Sequence, residues 1–339
     1  MRRHRFALLV PLLLALSAAG CRDESPSEAG APAPERAGGP TAPAEAPASA
    51  TAPAEPKIVR VVDDFLAYYA ACKEADEAAR AAQWDAMLEA KHRAFFEQVI
   101  YRKLEGDDRQ RHKEYCIRQF WQDVAGRIDG VAKLAHGIDG QIRSTLTAFR
   151  EQFPAFQPKT DFYVAVTFSF HGKVTDLDGR DIFAIGLENF APDSPHLPIT
   201  IAHEMFHLYH GQFFSASGGL YRPLWAEGLA TYASAVVVPG HRRSTYLDFP
   251  ADKMNRCQEL LPAMAADLKK HMGQHDAHLQ RVYFGAEPND TQVPPAAGYY
   301  VGLLVVESLA KAHPLDELAR MEAEKIYPLV AGELDRLSA

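Results

Sequence analysis

Cysteine is scarce, with four residues in a chain of 339. After Cys21 only Cys72, Cys116 and Cys257 remain. That odd number permits one bridge at most and leaves the pair open, and thiols scattered so widely do not read as a zinc knuckle. Long hydrophobic runs are lacking too. The apolar stretch from Phe6 to Leu16 is too short to span a bilayer as a permanent helix. Clusters of positive charge are missing. Removing Arg2, Arg3 and Arg5 from the 36 basic residues leaves 33 against 44 acidic ones, or −11. Nothing in that balance tracks phosphates, which argues against nucleic acid as a partner. No internal repeat and no βαβ rhythm is found. What is abundant is apolar side chain: 47% of the residues, enough to bury one large core or two modest ones.

The first 56 residues differ from everything after them. Three arginines, a short apolar run and then Ser17, Ala18, Ala19, Gly20 and Cys21 form the layout of a secretory signal peptide. The ending "AAGC" resembles the bacterial lipoprotein cleavage box, with Ala18 where Leu is usual. That resemblance implies that residues 1–21 are a leader and that Cys21 becomes the lipidated first residue. The segment 22–56 is nearly all Ala, Pro, Glu, Gly and Ser, with no aromatic residue and no apolar one larger than alanine. Such a composition cannot bury enough surface to offset its ordering entropy, so a disordered tether is expected. Anchor and tether together place a folded domain on a membrane face of the cell envelope.

From 57 to 157 the pattern is helical. Phe65, Tyr68, Tyr69 and Cys72 recur at helical spacing, and Ile117, Phe120, Trp121, Val124 and Ile128 do so again. A bundle of three or four helices is expected, with the aromatic stripes as its core. The period changes after Pro158. In "DFYVAVTFSF" Phe162, Val164, Val166, Phe168 and Phe170 alternate, which is the period of a strand. "HGKVTDLDGRD" reads as a polar connection, and "IFAIGLENF" reads as a second strand. Helices follow at "ITIAHEMFHLYH" and "LWAEGLATYASAVVV", separated by the Gly-rich "SASGGLYRP", then within 250–275 and from Ala297 to about His313. A small sheet followed by helices, over 158–339, makes the fold class α+β.

The chemistry concentrates in "HEMFH". On a helix, positions i and i+4 lie almost above one another, so His203 and His207 present two imidazoles one turn apart. Both can share an ion at roughly 2.0–2.1 Å from each nitrogen. Glu204 sits part of a turn round the helix, where it misses the metal but reaches a water on the ion's open position. A tetrahedral catalytic zinc needs a third protein ligand. Twenty residues beyond His207, Glu227 opens "EGLATY".

H-E-x-x-H followed at this distance by a glutamate in E-G-x-A-x-Y resembles the gluzincin zinc metallopeptidases, with wording nearest the aminopeptidase-like branch. The resemblance covers about 160 to 310. It implies one zinc per chain, held by His203, His207 and Glu227, with Glu204 as the general base. "YYVG", residues 299–302, is similar to the Tyr-x-x-Gly whose phenol stabilises the oxyanion in that branch. On this template Tyr299 carries the role, with Tyr300 as the fallback. Gluzincins also lay substrate backbone along an edge strand before the metal helix, a part that "IFAIGLENF" fits. Its "GLEN" resembles the exopeptidase motif G-x-M-E-N, which makes Glu188 a candidate for the substrate's amino terminus. Leu187 replaces the Met, however, and the distance to His203 is shorter than in those enzymes.

Two positions depart from the pattern. Thr231 stands where thermolysin-like proteins place an Asp to orient a histidine, so that role is unassigned. The position of a metzincin third histidine is Phe213, which leaves His210 as a packing or supporting residue. The resemblance thus implies a lipid-anchored zinc peptidase of the cell envelope acting on a peptide or protein. A non-catalytic zinc- or substrate-binding lipoprotein on the same scaffold is the rival reading, and a hydrolase of cell-wall peptide amides is a variant.

Overall fold

A computed structural model describes residues 55–285 and 291–339. The leader, Cys21 and nearly all of the tether lie outside the described residues. Among those described, no helix is long and apolar enough to cross a membrane.

The chain enters through β1 (Ile58–Arg60) and passes into α1 (Val61–Cys72), α2 (Glu77–Trp84), α3 (Arg93–Phe95), α4 (Gly106–Gln119) and α5 (Ile128–Gln152). Their apolar faces meet at an aromatic cluster. Phe65 and Trp84 pack edge to face at 5.7 Å, and Phe120 stacks on Phe65 at 5.8 Å. The polar tips inside the cluster are used up: Trp84 Nε1 donates to the Tyr101 hydroxyl at 2.9 Å, and Trp121 Nε1 to that of Tyr68 at 3.0 Å. The aromatic stripes are core, as their spacing implied.

The sheet follows, with β2 (Phe162–Ala165), β3 (Gly172–Leu177) and β4 (Arg180–Gly186). Its order is β1-β2-β4-β3, with β1, β2 and β4 parallel and β3 antiparallel to β4. Because β1 comes from the helical region, that region and the rest of the chain share one sheet and one continuous core. Phe168, just after β2, inserts its ring between Phe65 and Trp84.

Two expectations about this sheet are corrected. The stretch expected as a polar connection contains β3, and Asp178-Gly179 turns it directly back into β4. Both turn residues have positive φ, 54° and 76°, which a two-residue hairpin of this kind requires. The strand "IFAIG" is accordingly internal, and β3 forms the edge of the sheet on this side, with β1 at the opposite edge. An edge strand with one half-wet face carries Lys, Thr and Asp without loss, so its composition imitates a loop.

The remaining helices are α6 (His196–His210), α7 (Tyr221–Val237), α8 (Arg243–Tyr246), α9 (Ala251–His271), α10 (Ala277–Phe284), α11 (Ala297–Leu309), α12 (Leu315–Ala319) and α13 (Ala323–Ser338). The sheet and these helices make the α+β class expected. Helix α6 packs against α5, α7 and strands β3 and β4. Helices α7 and α11 touch backbone to backbone: a Cβ on Gly228 would lie 2.4 Å from Gly302 O, and one on Gly302 2.4 Å from Leu224 O. Cys72, Cys116 and Cys257 are buried and unbridged.

Candidate metal centre

Helix α6 delivers His203 and His207, and α7 delivers Glu227 from its buried first turns. The two imidazole Nε2 atoms are 3.0 Å apart. Glu227 Oε2 lies 3.2 Å from one and 3.3 Å from the other. Two nitrogens and one oxygen thus converge on a single point. Ligand atoms about 2.0–2.1 Å from a tetrahedral zinc stand roughly 3.3–3.4 Å apart, so the triangle has nearly the size that ion requires.

The electrostatics favour a cation there as well. Burial raises the Glu227 carboxyl, but His207 and His203 outweigh it and hold the group well below the usual carboxylate range. Burial lowers the His207 imidazole, but Glu227 outweighs it and holds the ring up to about 9. Negative charge is therefore fixed beside two nitrogen donors in a dry setting. The donor set and its charge fit zinc.

Glu204 is buried beside this triangle and does not join it. Its Oε2 accepts the N–H of Val174 on β3 at 3.1 Å. Burial raises its carboxyl, which the two imidazoles and the Val174 N–H only partly offset. A carboxylate with a raised proton affinity is better matched to taking a proton near neutral pH. The close fit to β3 depends on Gly172, where a Cβ would come within 2.9 Å of Glu204 Cγ and 2.7 Å of Thr200 Cγ2.

The structure brings Tyr299 to the site and leaves Tyr300 away from it. The Tyr299 ring lies 6.4 Å from that of His203, inclined to it by 30°, and its hydroxyl faces the Glu227 carboxylate. Burial, with the charges of Glu227 and Glu204 added, keeps this phenol protonated and therefore a donor. Tyr300, one position on, has Arg243 and Glu307 as its charged neighbours. The Gly228–Gly302 contact sets this arrangement. It draws α11 onto α7 next to Glu227, with Tyr299 one turn before the contact.

Other candidates take structural places. Glu188 is buried away from the metal triangle, and its Oε1 accepts the N–H groups of Thr167 at 2.9 Å and Phe168 at 2.8 Å. It thereby holds Phe168 at φ 61°, the conformation that sends the ring into the helical core. This is a structural use rather than a grip on a substrate terminus. His210 is buried between Phe206 and Phe214, and desolvation lowers its imidazole to about 3. It packs. Thr231 donates its hydroxyl to Glu227 O at 2.8 Å, within its own helix.

A cleft opens beside the triangle and reaches His203. It is lined by His171 and Gly172 at the start of β3, by Glu204 and Tyr299, and by the segment from Thr245 to Phe249. His196 and Asp248 face each other at 3.7 Å along it. Sequence reasoning missed His171, His196 and Asp248, because they sit on separate segments and share no spacing.

Residues 166–328, a little under half of the chain, match the family model described as "Predicted Zn-dependent protease (DUF2268)". No curated protein and no solved structure shows a significant match to the chain. The matched segment spans the triangle, Glu204 and Tyr299, and it supports a zinc-dependent protease as the class of this site.

Proposed function

We propose that the chain is a zinc peptidase of gluzincin type that cleaves peptides or proteins at the cell envelope. The observation that carries this is the buried Glu204 beside the ligand triangle, since holding a metal does not require that carboxylate. His203, His207 and Glu227 would hold the zinc ion, which when bound would supply Lewis acidity. Glu204 takes the proton from the attacking water and returns it to the leaving amine. The Tyr299 hydroxyl donates to the carbonyl oxygen as negative charge develops there. Gly186 N donates to His171 O, so residues 171, 173 and 175 turn their backbone groups toward β4. Gly172 and Val174 therefore face outward; the Val174 N–H is taken by Glu204, which leaves the Val174 carbonyl and the backbone groups of Gly172 for a substrate backbone along β3.

The test is a peptide-library assay with metal analysis. Purified protein should carry about one zinc per chain, lost on replacing His203 or Glu227 with Ala. Glu204→Gln should keep the zinc and the fold and lose about 10²–10⁴-fold in hydrolysis. Full zinc occupancy in both ligand variants, or equal cleavage by Glu204→Gln, refutes the reading. A wild type that binds zinc and cleaves no peptide returns the rival, a binding lipoprotein.

The envelope placement rests on the leader, on Cys21 as the lipidated residue and on the tether. Cys21→Ser should abolish lipid labelling and release the protein from the membrane fraction. Unchanged membrane association would exclude the anchor.

A further inference from the structure

The free edge strand has a second side. Side chains alternate along β3, so Gly172 and Val174 share the face toward Glu204, while Lys173 and Thr175 share the other. On that other face lies a small pocket whose floor is Phe170 and Lys173 and whose rim is Arg102 and Lys103. Lys103 is neutralised by Asp176 at 3.3 Å. Arg102 and Lys173 have no ion pair and no hydrogen bond among the described residues, and they face each other in a chain where acid exceeds base by 8. Burial and the nearby Arg102 lower the Lys173 ammonium and Glu204 offsets only part of this, a cost that a further anion would remove. The backbone at the rim is unusual too. Arg102 and Lys103 are consecutive non-glycine residues at φ 53° and 59°, held by Lys103 N donating to Glu97 O at 2.9 Å. Left-handed strain in non-glycine residues clusters where a binding group must be aimed.

We propose that Lys173 and Arg102 form an anion subsite beside β3 that takes a carboxylate of the bound peptide. The inference rests on the reading of β3 as the edge along which substrate lies. A strand added there sends alternate side chains to the two faces of the sheet, one set toward the metal triangle and the other toward Lys173 and Arg102. An acidic side chain on the second set, or a free C-terminal carboxylate ending there, meets two cations that carry no ion pair among the described residues. The Thr175 hydroxyl stands on the same face.

The experiment measures peptide binding apart from cleavage. Full-length, zinc-loaded Glu204→Gln protein is titrated with peptide amides carrying an uncharged dye, in which Glu or Gln is scanned through each position. A matched neutral peptide with a free C-terminus separates the two sources of carboxylate. At one position Glu should bind about tenfold more tightly than Gln, or the free terminus more tightly than its amide. The ratio should fall toward one in Arg102→Gln, in Lys173→Gln and at 1 M salt. Arg102 is exposed, so its variant decides the matter if Lys173→Gln does not fold. Equal binding of Glu and Gln at every position together with equal binding of free and amidated termini, or a preference that survives Arg102→Gln, overturns the subsite. Acid-selective binding without cleavage by the wild type would refute the peptidase reading and leave the subsite standing. Cleavage with no acid preference would do the reverse.

Discussion

The two ends of the shared core are built differently. Around Trp84 the helical region buries aromatic rings and pairs their few polar atoms with each other. Around α6 and α7 the chain buries Glu204, Glu227 and His210. Among the described residues, all the buried polar and charged side chains except Thr145 lie beyond residue 166. Burying an ionisable group costs several kcal/mol unless partners compensate it. The first region spends its burial on stability, and the second holds charge where chemistry can use it. Glu188 shows that burial alone is no sign of function. Its carboxylate is bonded to backbone N–H groups and holds a loop, whereas Glu204 has one backbone donor and faces a cleft.

The comparison breaks if damage in one region appears as a defect of the other. Trp84→Ala should have the largest effect on stability, about 3–5 kcal/mol, because four buried rings and the partly buried Phe168 lose a neighbour and Tyr101 loses its donor. Denaturant unfolding measures the loss, and kcat of the remaining folded protein should stay near wild type. Tyr299→Phe should act the other way. Removing one donor to a developing oxyanion lowers kcat about 10²–10³-fold, roughly 3–4 kcal/mol, with zinc content, melting temperature and KM little changed. Tyr300→Phe should be mild, and a reversal of these two results would move the donor to Tyr300.

His210 sharpens the contrast by a smaller amount. Its folded pKa, about 3, lies below the ordinary histidine value of 6.5. Between those values the unfolded chain binds a proton that the folded one does not, so His210 reduces stability as pH falls below about 6.5. The difference in slope between wild type and His210→Leu should approach about 1.4 kcal/mol per pH unit between pH 4.5 and 6. Urea midpoints across that range measure it. Parallel slopes would mean that the imidazole is protonated in the folded state.

The sequence went furthest where one period governs the residues. His203, Glu204 and His207 lie within five positions of one helix, so their faces follow from 3.6 residues per turn. The aromatic stripes of α1 and the end of α4 were legible for the same reason. The strand β3 was obscured because edge strands tolerate polar residues, although Asp178-Gly179 carried the hairpin signal.

Local spacing fixed which side chains share a helix face, and composition set apart the first 56 residues. Only the tertiary structure decided which helices meet. The pairing of Gly228 with Gly302 docks α11 on α7 and selects Tyr299 over Tyr300, and the packing of α6 on α7 closes the triangle around Glu227. The turn at Asp178 makes β3, and not β4, the free edge beside Glu204. The Gly228–Gly302 contact joins residues 74 positions apart, and that of Tyr299 with His203 residues 96 apart. Helical and strand periods carry no information across such distances, because backbone contact between distant segments depends on how whole elements pack.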